Sequence, residues 1–275
     1  QRNLAGYGLW LGRLRSVVKP PTRLVITALP AWLEEREFRS LVGQTDGYVL
    51  QVHSVPMKRE SGRAELFDPE LARAWVAKAA KLGRPFSVAL PTYRCVAGYN
   101  EEGKLLGVYM DSVAPKWPAG TTTLEFSSDA DTIADVVKAW LEKRPAELRE
   151  LIWYRAPVAS DARNWRWPTL AAVMAGRRPR HELQVTQTDG NPLDITLVNA
   201  GEAEESLDSV ITATWRGESL ETADALEGWS VVTEPEGARF IPTLPPVIRL
   251  APGARRSIGW LRFTQPTRVE LRVEE

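Results

Sequence analysis

Short apolar segments alternate with helical segments between residues 22 and 176, and this alternation limits the fold more than any other feature of the sequence. Each strand candidate is a mostly apolar run, and most are followed by apolar residues at helical spacing. The strand candidates are 22–29, 46–54, 84–91, 121–127 and 147–157. The helical segments are 30–43, 68–83, 131–144 and 167–176. This order predicts a parallel sheet with helices packed on the outside.

Residues with strong positional preferences mark the ends of these helices. Asp68 is placed to cap the second helix, Pro69 occupies its first position, and Gly83 ends it. Either Asp129 or Asp131 caps the third helix. These residues predict where the helices begin and end, and they give Asp129 and Asp131 a structural explanation.

A helical pattern precedes the first strand. Its apolar residues are Leu4, Tyr7, Leu11, Leu14 and Val18. Five strands are fewer than the eight that close a (β/α)8 barrel. Residues 1–178 therefore form an open or incomplete TIM-barrel-like α/β domain, or two to three further strands precede residue 1 in the full gene product. The start at Gln rather than Met favours the second interpretation.

The pattern changes after about residue 180 to short alternating segments separated by turn residues. The segment 189–192 (DGNP) has the composition of a hairpin turn, and Pro252 and Gly253 separate two late strand candidates. Seven or eight such strands predict an all-β immunoglobulin-like sandwich over residues 179–275. The predicted domain boundary lies within 176–182 (GRRPRHE).

Charge and composition argue against several kinds of partner. Lys plus Arg and Asp plus Glu both number 35, so no basic surplus is available for nucleic acid or an anionic membrane surface. No apolar run approaches the roughly 20 residues of a membrane-spanning helix. One cysteine and two widely separated histidines offer neither an intrachain disulfide nor a metal site. We therefore expect no metal and no cofactor.

The sequence fixes neither the cellular compartment nor the oligomeric state. Exported bacterial proteins often lack disulfides, so a single cysteine is compatible with export. If an export signal was removed upstream of residue 1, the protein belongs in the periplasm or the cell envelope.

The loops that follow the strands form the working face of a parallel αβ barrel, so residues at the predicted strand ends are the site candidates. His53 ends the second strand candidate, and Glu125 lies near the end of the fourth. The segment 91–120 is about 30 residues long, which is unusual for a loop of this kind and predicts a rim or lid. Its candidate acid is Asp111.

Glycoside hydrolysis normally needs two carboxyl groups at strand ends, and Glu125 and Asp111 are the available pair. Glu125 either points inward at its strand end or projects toward the helix layer as a salt-bridge partner. His53 either acts as a general acid–base group or ligand contact, or closes its strand as a structural residue. We take Glu125, His53 and Asp111 as the candidate catalytic residues.

Aromatic and arginine side chains at strand ends are candidates for ligand binding, because they suit sugars and carboxylates. Eleven tryptophans make the chain unusually rich in this residue, although most tryptophans serve as packing. Trp165 and Trp167 could form a sugar-stacking platform or fill the interface between the two domains, and the arginines could instead pair with acids on the rim. The candidates are Trp32, Tyr93, Arg94, Tyr154, Arg155, Trp165 and Trp167.

The strand 46–53 (DGYVLQVH) is similar in spacing to the Asp-Gly-x-Asp-x-Asp-x-Glu motif of family eighteen chitinases. Asp46 and Gly47 match that motif. Val49, Gln51 and His53 stand where its two inner acids and its catalytic Glu would be. This resemblance implies related barrel geometry and argues against chitinase chemistry.

Four segments together resemble a bacterial family catalogued as domain of unknown function 3142. They are ALPAWL (28–33), DGYVLQVHS (46–54), ALPTYRC (89–95) and LIWYRAPV (151–158), followed by NW at 164–165. The resemblance implies a TIM-barrel-like domain related to glycosidase barrels, with no established activity to carry over.

Two functional hypotheses follow from the sequence. In the first, the protein is a carbohydrate-active barrel with an accessory sandwich and hydrolyses glycosides. In the second, it is a non-catalytic relative that binds a glycan or a protein through strand-end aromatic and arginine side chains. The absence of the chitinase acids favours the second.

Overall fold

The computed structural model describes residues 4–59, 64–110, 114–217, 220–243 and 248–274. The chain divides into two compact units. The first unit comprises residues 1–165 and 173–178, and the second comprises 166–172 and 179–275.

The helices of the chain are α1 (Leu4–Val17), α2 (Arg36–Gly43), α3 (Pro69–Ala80), α4 (Ala130–Glu142) and α5 (Trp167–Met174), with a 3₁₀ helix at Pro30–Glu34. The strands of the first unit are β1 (Val25–Ala28), β2 (Gly47–Gln51), β3 (Phe86–Pro91), β4 (Cys95–Tyr99), β5 (Leu105–Tyr109), β6 (Thr122–Phe126) and β7 (Leu148–Tyr154). All five predicted helices are therefore present, including the one at the start of the chain.

Four strands of the first unit form a parallel sheet in the order β1-β2-β3-β7. Its strand order and the intervening helices confirm the predicted α/β architecture of this part of the chain. One face of the sheet packs against α1, α2, α3 and α4 in a single hydrophobic core. Fully buried side chains such as Leu50 and Val88 each stabilise this core by about 2 kcal/mol relative to an exposed position.

The side chains that alternate with these core residues point to the other face of the sheet. Many of them are partly or fully exposed to solvent. Val49 and Gln51 alternate along β2 with the buried Tyr48 and Leu50. We call this second surface the open face; its side chains include Val25, Thr27, Val49, Gln51 and Ser87.

The fourth predicted strand is present as β6, but its predicted place in the parallel sheet is wrong. It pairs antiparallel with β4, and β5 pairs antiparallel with the other edge of β4. A parallel partner would require a crossover of a dozen or more residues, usually a helix. No helix occurs between β3 and β6 in the described residues, so these strands form a separate three-stranded sheet.

The same hairpin replaces the predicted long loop at 91–120. β4 follows β3 after only three residues, and the turn between β4 and β5 is closed by the Asn100 side chain, which accepts a hydrogen bond from Lys104 N at 2.8 Å. Asp111 lies outside the described residues.

Side-chain hydrogen bonds begin two of the helices, as predicted. Asp68 accepts from the backbone N–H groups of Glu70 and Leu71, both at 2.9 Å. Asp129 accepts from Thr132 N at 2.7 Å, so it, rather than Asp131, caps α4. Each cap satisfies donors that the first turn of a helix leaves unpaired.

An ion pair joins α1 to the amino end of the parallel sheet, where Asp46 directly precedes β2. Arg15 donates two hydrogen bonds to the carboxylate of Asp46, at 2.7 and 3.0 Å. Leu24 N donates a third at 2.7 Å. The bond from Leu24 and those from Arg15 hold the pKa of Asp46 below its usual range.

The second unit is built from antiparallel sheets, as its short alternating segments predicted. Its strands are β8 (Leu183–Gln187), β9 (Leu193–Asn199), β10 (Glu205–Ser206), β11 (Ile211–Thr214), β12 (Leu220–Ala225), β13 (Trp229–Glu234), β14 (Gly237–Pro242), β15 (Arg249–Leu250), β16 (Arg255–Phe263) and β17 (Glu270–Val273). Two four-stranded sheets have the orders β13-β14-β11-β17 and β12-β16-β9-β8, and β10 pairs with β15. Both four-stranded sheets contribute side chains to one hydrophobic core.

The turn predicted at 189–192 is confirmed, because β8 and β9 form an antiparallel hairpin around it. The two strands on either side of Pro252 and Gly253 exist but do not pair with each other. β15 pairs with β10, whereas β16 pairs with β9 and β12. The residues Pro252 and Gly253 therefore predicted the break between these two strands correctly, but not the strands with which each one pairs.

Gly259 on β16 permits the closest packing in the second unit. A Cβ atom at this position would overlap the ring of Phe240 and lie 2.5 Å from the carbonyl oxygen of Asp224. We expect Gly259→Ala to lower the free energy of unfolding by about 2 kcal/mol, because a filled core cannot accept the methyl group. Chemical denaturation measured by circular dichroism checks this.

Gly237→Ala on β14 is the matched control, because its added Cβ would meet only the Ala213 carbonyl oxygen at an ordinary 3.5 Å. Its stability should stay close to that of the wild type. Equal losses in the two variants would contradict the packing explanation.

Candidate functional site

Three aromatic rings from adjacent strands meet at the carboxyl end of the parallel sheet. His53 follows β2, Tyr93 follows β3, and Tyr154 ends β7. The ring centroid of His53 lies 5.9 Å from that of Tyr93 and 6.1 Å from that of Tyr154. The ring centroids of the two tyrosines are 5.8 Å apart. His53 and Tyr154 are stacked, whereas Tyr93 meets both edge-on. We call these three residues the aromatic cluster.

The strand register brings this cluster together. His53 lies two residues after Gln51 and four after Val49, so an extended backbone directs it to the open face. Pro91 is paired with Tyr154 across β3 and β7, which places the end of β7 beside the residues that follow β3. The carboxyl ends of parallel strands meet at one edge, and ligand sites of α/β sheets commonly lie there.

His53 is neutral and carries its proton on Nδ1. Its ring is only 5% exposed, and Nδ1 lies 3.2 Å from the carbonyl oxygen of Ala89. A carbonyl oxygen can only accept, so Nδ1–H donates and Nε2 keeps its lone pair. Burial lowers the pKa of His53 to about 4, and the Ala89 bond opposes this shift in part. Nε2 makes no hydrogen bond within the described chain and is therefore available as an acceptor.

The two tyrosines add polar groups to the same cluster. Tyr93 is buried, and burial raises the pKa of its phenol well above the usual range. Tyr154 is 48% exposed. Neither phenol makes a hydrogen bond to any residue that the structure describes. The cluster thus combines aromatic surfaces with one acceptor nitrogen and two hydroxyl groups.

A polar segment after β7 holds the backbone of the cluster in place. Thr92 donates its hydroxyl to the Arg155 carbonyl at 2.5 Å, and buried Asn164 donates its amide to the carbonyls of Arg155 and Ala156, both at 3.0 Å. Trp165 N donates to Thr92 O at 2.8 Å. These bonds join the residues after β3 to those after β7.

The two predicted ligand-binding arginines are engaged within the protein. Arg155 forms an ion pair with Asp161 at 2.5 Å, and Arg94 donates to the Ala162 carbonyl at 2.8 Å. Both partners belong to the segment 155–165. Arg155 thus pairs with an acid, whereas Arg94 binds a backbone carbonyl, and their roles as ligand contacts stay predictions.

The three predicted tryptophans occupy separate surroundings. Trp32 packs edge-on against Tyr7 and Phe38. Trp165 is partly buried against the core of the first unit and donates its indole N–H to the Ser128 carbonyl at 3.1 Å. Trp167 begins α5 and is 59% exposed. Their roles as ligand contacts stay predictions.

The structure places Glu125 away from the aromatic cluster. Glu125 lies on β6 opposite Val96, and its carboxylate pairs with Arg163 at 3.0 Å. The next residue, Phe126, packs with Tyr93 in a small buried core on the opposite face of the three-stranded sheet. Glu125 and Tyr93 therefore face opposite sides of this sheet.

Asp161, Arg163 and Asn164 support the site and were not among the predicted residues. Asp161 accepts from Arg163 N at 3.0 Å as well as from Arg155. The signal available in the sequence was the polar run DARN at 161–164, directly ahead of Trp165.

No group of three or more metal-ligating side chains occurs in the part of the chain that the structure describes. None of the described helices has both the length and the apolar character needed to cross a membrane.

A family model described as Domain of unknown function (DUF3142) matches residues 1–159, which is more than half of the chain. The chain belongs to this family. The match confirms the resemblance seen in the four strand-end segments. A second model, described as Domain of unknown function (DUF8456), matches residues 182–264 of this DUF3142 protein.

Comparison with individual proteins adds distant structural neighbours. No curated protein matches this DUF3142 chain. Chitinase ChiA74 from Bacillus thuringiensis is 8% identical, with a TM-score of 0.40, over 98% of this chain and 70% of that one. A family GH18 chitinase from Chromobacterium violaceum is 11% identical, with a TM-score of 0.37, over 98% of this chain and 63% of that one. The chain thus spans less than two thirds of the second protein.

The buried neutral His53 predicts a specific loss of stability in acid. Between pH 6.5 and about 4 the unfolded chain binds a proton at this histidine and the folded chain does not. The free energy of unfolding therefore falls as the pH drops through this window, by about 3 kcal/mol from this group alone. Denaturation of the wild type and His53→Gln at pH 7 and pH 4 measures the difference.

His53→Gln should lose less stability than the wild type over this range, because it has no imidazole to protonate. If the two proteins respond identically to pH, His53 is not held neutral by burial.

Proposed function

We propose that this DUF3142 protein binds carbohydrate at the aromatic cluster, as a non-catalytic relative of glycosidase barrels. The observation that carries the proposal is the meeting of His53, Tyr93 and Tyr154 at the carboxyl ends of three strands. Their Nε2 and hydroxyl groups have no hydrogen-bond partner among the described residues. A sugar has apolar C–H faces and hydroxyl groups that both donate and accept. An aromatic surface bearing a neutral imidazole and phenols offers both kinds of contact.

The same geometry supports binding over hydrolysis. Glycoside hydrolysis needs two carboxyl groups about 5 to 9.5 Å apart around the scissile bond. Glu125 pairs with Arg163 on the far face of the small sheet, and Asp161 is occupied by Arg155. His53, with a pKa of about 4, is a weak base at neutral pH. The hydrolytic roles of Glu125, His53 and Asp111 are therefore the less supported alternative.

The proposal includes a domain arrangement. Residues 1–178 would form an open TIM-barrel-like domain that carries the site, and the four-stranded parallel sheet with helices on one face supports this. Residues 179–275 would form an immunoglobulin-like accessory sandwich. The two antiparallel sheets that share one core support that second assignment.

Substitutions in the cluster test the binding site. We expect Tyr154→Ala to weaken binding of the best ligand in a glycan screen about tenfold, since it removes the exposed ring. Tyr154→Phe should lose only the part due to the hydroxyl, and His53→Gln should weaken binding through loss of the imidazole. Isothermal titration calorimetry of the purified proteins provides the affinities.

Trp10→Ala is the control, because Trp10 is a similarly exposed aromatic residue that lies on α1, outside the cluster. Its affinity should equal that of the wild type. Unchanged binding in both Tyr154→Ala and His53→Gln would remove the site. Release of reducing sugar by the wild type but not by Glu125→Gln would replace the binding role with hydrolysis.

A further inference from the structure

A cleft lies on the open face at the amino ends of the parallel strands, at the opposite end from the aromatic cluster. Its volume is about 480 Å³, within the usual range for small-molecule sites. It is bordered by the first residues of β1, β2 and β3, together with Arg149 and Glu150 near the start of β7. We call it the amino-end cleft.

The floor of the amino-end cleft is apolar. Val25, Val49 and Ile152 line it from three different strands, and Val25 is 43% exposed. Alternation along the strands directs all three side chains away from the helix-packed core. A partly exposed apolar floor of this kind favours a ligand that carries hydrocarbon.

Two guanidinium groups border this floor. Arg23 extends over Gly47, where an added Cβ would lie 3.9 Å from its Nη2 atom, and Arg149 lines the cleft from β7. Arg149 forms no ion pair with any described residue. Arg23 interacts electrostatically with Asp46, whose carboxylate is already bound by Arg15 and by Leu24 N.

One carboxylate offsets part of this positive charge. Glu150 lines the cleft and accepts a hydrogen bond from the Ser87 hydroxyl at 3.2 Å. Two guanidinium groups against one carboxylate leave a surplus of one positive charge. Guanidinium groups bind carboxylate and phosphate oxygens in pairs of parallel hydrogen bonds.

We propose that the amino-end cleft binds a small amphipathic anion, with a carboxylate or phosphate monoester on an apolar body of several carbons. The anionic group lies between Arg23 and Arg149, and the hydrocarbon covers Val25, Val49 and Ile152. Four residues of extended strand, about 13 Å, separate Val49 from His53, so this site is distinct from the aromatic cluster.

Calorimetry with four probes tests both halves of the ligand. Octanoate and octyl phosphate combine the anion with the chain, octanol carries the chain alone, and acetate carries the anion alone. We expect the two amphipathic anions to bind at least tenfold more tightly than octanol or acetate. Tighter binding of octanoate identifies a carboxylate site, and tighter binding of octyl phosphate identifies a phosphate site.

Paired variants locate the binding. Arg23→Gln combined with Arg149→Gln should weaken the better amphipathic anion at least tenfold, whereas Arg144→Gln, which changes an exposed arginine outside the cleft, should not alter it. Val49→Trp should block the cleft while leaving both arginines in place. Thermal melts followed by circular dichroism must show that each variant is folded.

The outcomes separate this site from the carbohydrate site. Tyr154→Ala should leave octanoate binding unchanged, whatever the glycan screen gives. Equal affinity for octanoate in the wild type and the double arginine variant would overturn the proposal. So would sedimentation velocity showing a dimer that Val25→Glu dissociates while no probe binds, because a second copy of the chain would then cover the open face.

Discussion

Burial of one face of the parallel sheet under four helices determines the rest of the first unit. Side chains alternate along each strand, so the residues that fill the core leave their neighbours on the open face. Parallel strands also place all their carboxyl ends at one edge. His53 and Tyr154 come together because both lie on the open-face register of strands that end at this edge.

The chemistry of His53 follows from this placement. An imidazole on an exposed surface would titrate near neutral pH. Burial beside Tyr93 and Tyr154 keeps the ring uncharged, and the hydrogen bond from Nδ1 to a carbonyl oxygen leaves Nε2 as one defined acceptor atom. The position at which a chitinase-like strand would present an acid therefore presents a neutral hydrogen-bond acceptor.

Local signals in the sequence predicted most of the elements and part of the site. Apolar spacing and capping residues identify helices and strands because both depend on neighbours within a few positions, as with Asp68. The end of the same helix was predicted less closely, since α3 ends at Ala80 and not at Gly83. The partners of β6 and β16 depend on residues far along the chain, so their sheets were not predictable from pattern alone. Tyr93 and Tyr154 were predicted from strand ends, whereas their supports Asp161 and Asn164 act through backbone geometry that composition does not reveal.

A chain of charges runs from the end of β7 to the small antiparallel sheet. Asp161 binds the Arg155 side chain and the Arg163 backbone, and Arg163 in turn pairs with Glu125 on β6. Movement of Tyr154 relative to the small sheet would have to break these charge-assisted bonds. The aromatic cluster is consequently preorganised, so a ligand that bound there would lose little free energy in ordering the protein.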